Sequence, residues 1–301
     1  KKTIYAQVTY VDIGGLDKGV SEGGLKGQFR NELAQLDGLV HVVRAFRDEN
    51  VPHPYDSIDP QRDLDILDAE FLLSDLVAVE TRLGKIEDEF RRKGRTAEPA
   101  LVLEKDLLDR LKAALESETP LRDIDIADAE IKSLRGYGFL TLKPTLIVLN
   151  TDESGQDAAS VLTYDHQKSA VVNLQGKIEA ELAQLSPDDA AIFMEEYGIT
   201  ELSAAKVIRL SYALLSIQSF FTVGQDEVRA WSVAIGATAP EAAGAIHSDL
   251  QKGFIRAEVM AYDDLTTLGS EAAMKQAGKL RLEGKEYIVK DGDIVHIRSG
   301  L

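Results

Sequence analysis

The 301 residues include no cysteine, which excludes disulfides and thiolate metal sites and suits a cytoplasmic address. No apolar stretch approaches the roughly 18 residues of a membrane span, and the opening Lys1-Lys2-Thr3-Ile4-Tyr5 carries no apolar signal region. Positive charge is scarce: 34 Lys and Arg face 51 Asp and Glu, a formal net charge of −17. Coating a nucleic acid needs clustered cations, so neither DNA nor a membrane is an expected partner. Even from Gln218 to Leu301, nine Lys and Arg are outnumbered by twelve Asp and Glu. The five histidines share no metal-ligand spacing, and His41 lies in an apolar strand as a packed residue. None of the Gly-Lys pairs, at Gly84, Gly176, Gly278 and Gly284, is followed by Ser or Thr. The sequence therefore holds no phosphate-binding loop of the Gly-x-x-x-x-Gly-Lys-Ser/Thr type.

What is present is a globular composition, 44% hydrophobic and 28% charged, with length for two or three cores. Thr3 to Val11 reads as a strand that ends in Asp12-Ile13-Gly14-Gly15-Leu16 and opens into a glycine-rich loop reaching Gly27. A strand-end aspartate followed by glycine suits a nucleotide switch: the carboxylate can hold Mg²⁺ through water, and Gly15 can bring a bare N–H to a terminal phosphate. An ordinary turn is written in the same letters. Phe29 to Leu36 has helical spacing, and Gly38 to Phe46 reads as a buried strand of parallel type, which makes one α/β unit. Beyond a proline-rich loop, Ala69, Leu72, Leu76, Val79, Leu83, Ile86 and Phe90 recur in steps of three and four. After a turn near Arg91 to Pro99, Leu103, Leu107, Leu111 and Ala114 can face that seam, forming an antiparallel arm or, alternatively, two core helices. Ile124 to Arg135 reads as a short helix, broken at Gly136-Tyr137-Gly138. Pro144 to Leu149 is a buried strand running into Asn150, and Ser169 to Leu174 is another, with helices to follow, the last from Glu201 to about Phe220. Strands at Val228–Val233, Phe254–Met260 and Ile294–Arg298, a helix from Pro240 and a hairpin turn at Asp291-Gly292-Asp293 after Tyr287–Val289 predict a small α+β domain.

Asp12-Ile-Gly-Gly-Leu16, Asn150-Thr-Asp-Glu153, Arg229-Ala-Trp231 and the run from Ala237 to Val259 together resemble the Obg-like ATPase (YchF) family, along the whole chain. The resemblance implies an α/β fold: an incomplete P-loop NTPase sheet domain (residues 1–62 and 136–217), an inserted coiled-coil arm (63–135) and a C-terminal β-grasp TGS domain (218–301). It implies ATP and Mg²⁺ as cofactors of an intact member and the ribosome as partner. Asp12, Gly15 and Leu16 fall on the catalytic side, Asp12 toward Mg²⁺ through water. Leu16 stands where Ras-like enzymes place a water-orienting glutamine, so hydrolysis to ADP and phosphate is expected to be slow. Asn150-x-x-Glu153 replaces the guanine-reading Asn-Lys-x-Asp and implies adenine recognition by Asn150, with Thr151 beside it. Glu153 cannot donate to guanine O6, and its extra methylene moves it off the guanine N1 and N2 donors, which fits a weakened reading of guanine. Gln175, Gly176 and Lys177 match the third base-side loop. A plain strand-end turn and a plain helix start remain alternatives at these two places. In this family the phosphate-binding loop precedes the Asp12 strand. The expectation is thus a chain lacking the N-terminal part of its nucleotide domain, with weak or no ATP binding, exposed sheet edges and poor solubility.

Three readings compete. The first is a ribosome-associated ATPase that prefers ATP to GTP and is inactive without its phosphate-binding loop. The second is a non-enzymatic adaptor built from the arm and the TGS domain. The third is an unrelated α/β enzyme.

Overall fold

The computed structural model describes residues 2–13, 25, 27–93, 99–153, 155–197, 199, 201–224 and 226–300. In chain order the elements are β1 (Lys2–Ile4), α1 (Gly27–Gln35), β2 (Leu39–Ala45), α2 (Pro60–Lys93), α3 (Pro99–Glu116), α4 (Asp128–Leu134), β3 (Thr145–Thr151), α5 (Ala158–Val161), β4 (Ser169–Leu174), α6 (Gly176–Leu182), α7 (Pro187–Glu196) and α8 (Ser203–Leu214). There follow β5 (Ile217–Val223), β6 (Glu227–Ala234), α9 (Ala239–Ile246), α10 (Ser248–Lys252), β7 (Phe254–Ala261), α11 (Tyr262–Leu268), α12 (Glu271–Gln276), β8 (Arg281–Glu283) and β9 (Asp293–Ser299). Two compact units result, Ile13–Leu214 and Leu215–Leu301 with Lys1–Asp12.

The larger unit is organised by a three-stranded parallel sheet, β2-β3-β4. Its central strand is apolar on both sides because both sides are covered. Ile147 and Leu149 pack with Val43, Leu64, Ala158 and Leu162, while Leu146 and Val148 pack with Val172 and with Val207, Leu210 and Leu214 of α8. On that second side the edge strand β2 leaves Val40 and Val42 exposed.

The long helix α2 serves two cores in succession. Leu64, Leu67 and Phe71 are buried against the sheet and α1, and only from about Leu72 onward does α2 pair with α3, through Val79, Leu83 and Ile86. Ala69, expected in the seam, is exposed. The buried stripe runs through Leu67, Phe71 and Asp75 instead, with a carboxylate occupying a core position that an apolar pattern skips. Asp75 is fully buried and accepts hydrogen bonds from Leu140 N–H (3.0 Å), Thr141 N–H (2.8 Å) and Thr141 Oγ1 (2.7 Å). Leu103 is likewise not a seam residue, being 70% exposed. In α3 the seam is Leu101, Leu108, Leu111 and Leu115, with Glu104 in the same register, gripped by Arg82 Nε (2.8 Å) and Nη2 (2.7 Å) and by Tyr137 Oη. Gly138 then turns the chain with φ +61°, and a Cβ there would lie 2.7 Å from Ala34 Cβ, so the return from the arm passes close over α1.

In β2 the His41 Nδ1 is buried without a hydrogen-bond partner. Burial pushes the imidazole down to about 4, against the pull of Asp63. The unfolded chain therefore binds the proton more readily between pH 6.5 and 4, so stability contributed by neutral His41 is present above pH 6.5 and is lost as pH falls through this window. The expected loss reaches about 3 kcal/mol. Burial raises the carboxyls of Asp68 and Asp75, which act with opposite sign. The difference between wild type and His41→Leu in urea melts at pH 7 and 4.5 isolates the histidine: the variant should lose less stability on acidification, and equal losses would contradict the assignment.

The smaller unit has strand order β1-β6-β5-β9-β7-β8, with β5 and β6 antiparallel and β5 parallel to β9. The alanines of α9 (Ala239, Ala242, Ala243) let it lie close on Phe220, Phe254, Ala257 and Val259, and a Thr238–Glu241 capping box starts it. Three expectations are corrected here. The helix assigned to about Phe220 ends at Leu214, because Ile217-Gln-Ser-Phe-Phe-Thr-Val223 is β-prone and Ser216, at φ +51°, turns the chain out of the helix. Tyr287–Val289 is no strand and makes a single bridge, Thr238↔Ile288, although the Gly292 turn is real. At the other end, Thr3 to Val11 is strand only at Lys2–Ile4, and that strand pairs in parallel with β6 and not with the three-stranded sheet. β6 is otherwise an edge, and its unpaired backbone groups accept an added strand, Lys2 N–H reaching Asp226 O at 2.8 Å.

Candidate functional site

β3 and β4 are parallel neighbours, so their C-terminal ends open side by side, the place where open α/β sheets hold ligands. β3 delivers Asn150 and Thr151 there, and β4 delivers Gln175, Gly176 and Lys177 at the start of α6. Asn150 is half-buried and Thr151 buried. Asn150 Oδ1 accepts a hydrogen bond from Gly176 N–H at 3.1 Å, and this approach requires glycine, since a Cβ on residue 176 would lie 2.9 Å from the same oxygen. With its oxygen held, the Asn150 amide NH₂ is the group left to donate to an acceptor such as a purine N7. Thr151 Oγ1 lies 3.5 Å from Leu174 O, tying the two strand ends together.

Above this pair, Gln175 Nε2 donates to Glu153 O (3.3 Å), and Lys177 Nζ donates to Glu153 Oε1 (2.8 Å). The Glu153 carboxylate holds the Lys177 ammonium above the usual lysine range, with smaller contributions from Glu181 and Asp48. Gly155, at φ +63°, closes against Gln175 Nε2, which a Cβ would meet at 2.9 Å.

All six base-side residues expected from the sequence, Asn150, Thr151, Glu153, Gln175, Gly176 and Lys177, are thus joined by direct hydrogen bonds or share a loop. The catalytic set is not assembled in this way. Asp12 is exposed and belongs to the smaller unit, whereas Gly15 and Leu16 lie outside the described residues. Among the described residues no group of three His, Asp or Glu is placed to hold a metal ion. No local letter pattern announces the positive φ of Gly155. Asp157, Asn173 and Lys206, which belong to no motif, line a cavity of about 440 Å³ with Leu162 and Val172. Asn173 Oδ1 accepts from Ala158 N–H at 2.9 Å. An asparagine within an apolar strand was the available signal.

Residues 217–300 match the family model YchF-GTPase_C, described as a protein of unknown function (DUF933). The ribosome-binding ATPase YchF of Bacillus subtilis (strain 168) is 40% identical over 99% of this chain and 83% of its own length. Its counterpart in Escherichia coli O157:H7 is 38% identical over 98% of this chain and 82% of its own length. Among solved structures, the Schizosaccharomyces pombe YchF GTPase superposes with a TM-score of 0.81 at 29% identity, over 94% of this chain and 77% of that one. A GTP-binding protein of Pyrococcus horikoshii OT3 shares the fold at a TM-score of 0.56 and 17% identity, over 91% of this chain and 81% of that one. Identity at this level, sustained across nearly every residue, means that the chain belongs to the YchF family.

Proposed function

We propose that this chain carries the purine-reading half of an ATP site in a ribosome-associated ATPase, one that prefers ATP to GTP and hydrolyses it slowly to ADP and phosphate. The observation that carries the reading is the Asn150–Gly176 hydrogen bond beside the Lys177–Glu153 pair. It gathers two separate sequence segments into one polar edge at the ends of β3 and β4. In this reading Asp12 holds Mg²⁺ through water, and Gly15 meets the terminal phosphate. Leu16 leaves the attacking water without an amide to orient it, which accounts for slow turnover. The partition into a nucleotide domain (1–62, 136–217), a coiled-coil arm (63–135) and a TGS domain (218–301) belongs to the same proposal, as does a cytoplasmic setting. The ribosome enters because the B. subtilis and E. coli relatives are named for binding it.

Photolabelling with 8-azido-ATP and Mg²⁺ tests the site. Label should map to the 150–157 or 174–177 peptides and be displaced by excess ATP more readily than by GTP. Label spread elsewhere, or displaced equally by GTP, would overturn the reading.

A further inference from the structure

Guanine and adenine differ along one edge. Guanine presents a 6-oxo acceptor and donors at N1 and N2, whereas adenine presents a 6-amino donor and a bare N1 acceptor. A carboxylate free to accept two hydrogens favours guanine, and one already paired does not. In this chain the carboxylate is paired: Lys177 Nζ sits 2.8 Å from Glu153 Oε1. The pair is open to solvent, with side chains 70% and 65% exposed, and exposed pairs of this kind add little to stability. It joins a helix start to a strand-end loop, at the place where a purine edge would lie.

We infer that Lys177 is the specificity-determining residue of the site, acting on base choice by holding the Glu153 carboxylate away from guanine. This rests on the reading of Asn150–Lys177 as the base site. The ammonium works in both directions. It occupies the acceptor that guanine N1–H and N2–H would need, and its remaining N–H donors suit the bare N1 of adenine and oppose the protonated N1 of guanine. Gly176 adds to the effect, because its N–H, a natural donor to a 6-oxo group, is already spent on Asn150 Oδ1 at 3.1 Å. Glu181 and, more weakly, Asp48 add electrostatic attraction for the Lys177 ammonium.

The test is a ligand-observed NMR titration of the 301-residue chain with AMP and with GMP, which engage the base side without needing a phosphate loop. Wild type should bind AMP more tightly. Lys177→Met should shift the AMP-to-GMP affinity ratio toward GMP by about fivefold, Lys177→Arg should restore it, and Glu153→Gln added to Lys177→Met should abolish the gain in GMP binding. A Lys177 role confined to structure would weaken both ligands equally and leave the ratio unmoved, which would overturn the inference while leaving the base site intact. If wild type bound neither mononucleotide, the base-site reading would fall and this inference with it.

Discussion

Replacing Asp75 by alanine should cost the larger unit about 4 kcal/mol, the largest single effect expected in α2. The carboxylate is fully buried between α2 and the segment that returns from the arm, and three donors converge on it from Leu140 and Thr141. Alanine would leave two backbone N–H groups buried without acceptors, and the cost of an orphaned donor exceeds the net gain of the bond that satisfied it. Asp75→Asn keeps one oxygen and turns an NH₂ toward a donor, so about half the loss is expected. The two units permit an internal control. Trp231, the only tryptophan, lies in the smaller unit, whereas the longest helices lie in the larger one. In urea, the far-UV circular dichroism transition of Asp75→Ala should move to lower denaturant while the Trp231 fluorescence transition stays in place. A variant within about 1 kcal/mol of wild type would show that water or rearrangement satisfies Leu140 and Thr141.

Asp75 also shows where the sequence was legible and where it was not. The α/β unit and the meeting of Asn150 with Gly176 could be read because a short apolar run ending in Asn150 permits little else than a central strand with a polar end, and the family motif paired it with the loop at Gly176. α2 and α3 could be read as a pair of helices, but their seam could not. A rule that counts apolar letters passes over Asp75, a core position satisfied by Thr141, and Glu104, a half-buried seam position held by Arg82, and it admits Ala69 and Leu103, which are exposed. The junction at Ser216 was missed because Leu210 to Phe220 is apolar enough for either a helix or a strand, and the decision lies in a backbone angle. The strand at the chain start was misplaced for a different reason. Pairing partners are a tertiary choice, and Lys2–Ile4 finds its hydrogen bonds on the edge of β6.

The second large effect concerns nucleotide affinity. Most of the binding energy of ATP·Mg²⁺ in a P-loop protein comes from backbone amides, a lysine and a metal-bound hydroxyl around the phosphates. No Gly-Lys pair among these 301 residues is followed by the Ser or Thr of such a loop. On the proposed reading, the contacts left to this chain are one amide, from Asn150, and the Glu153–Lys177 edge, worth a few hydrogen bonds at about 1 kcal/mol each. Asn150→Ala should remove most of that residual affinity, since the Gly176 N–H would lose its acceptor and the purine its N7 donor. The measurement that bears most directly on the account is calorimetric titration of the chain with ATP and with GTP, both with Mg²⁺. A dissociation constant for ATP weaker than about 1 mM, with GTP weaker still, is the predicted result. Submillimolar binding of ATP, or GTP bound as tightly as ATP, would contradict it.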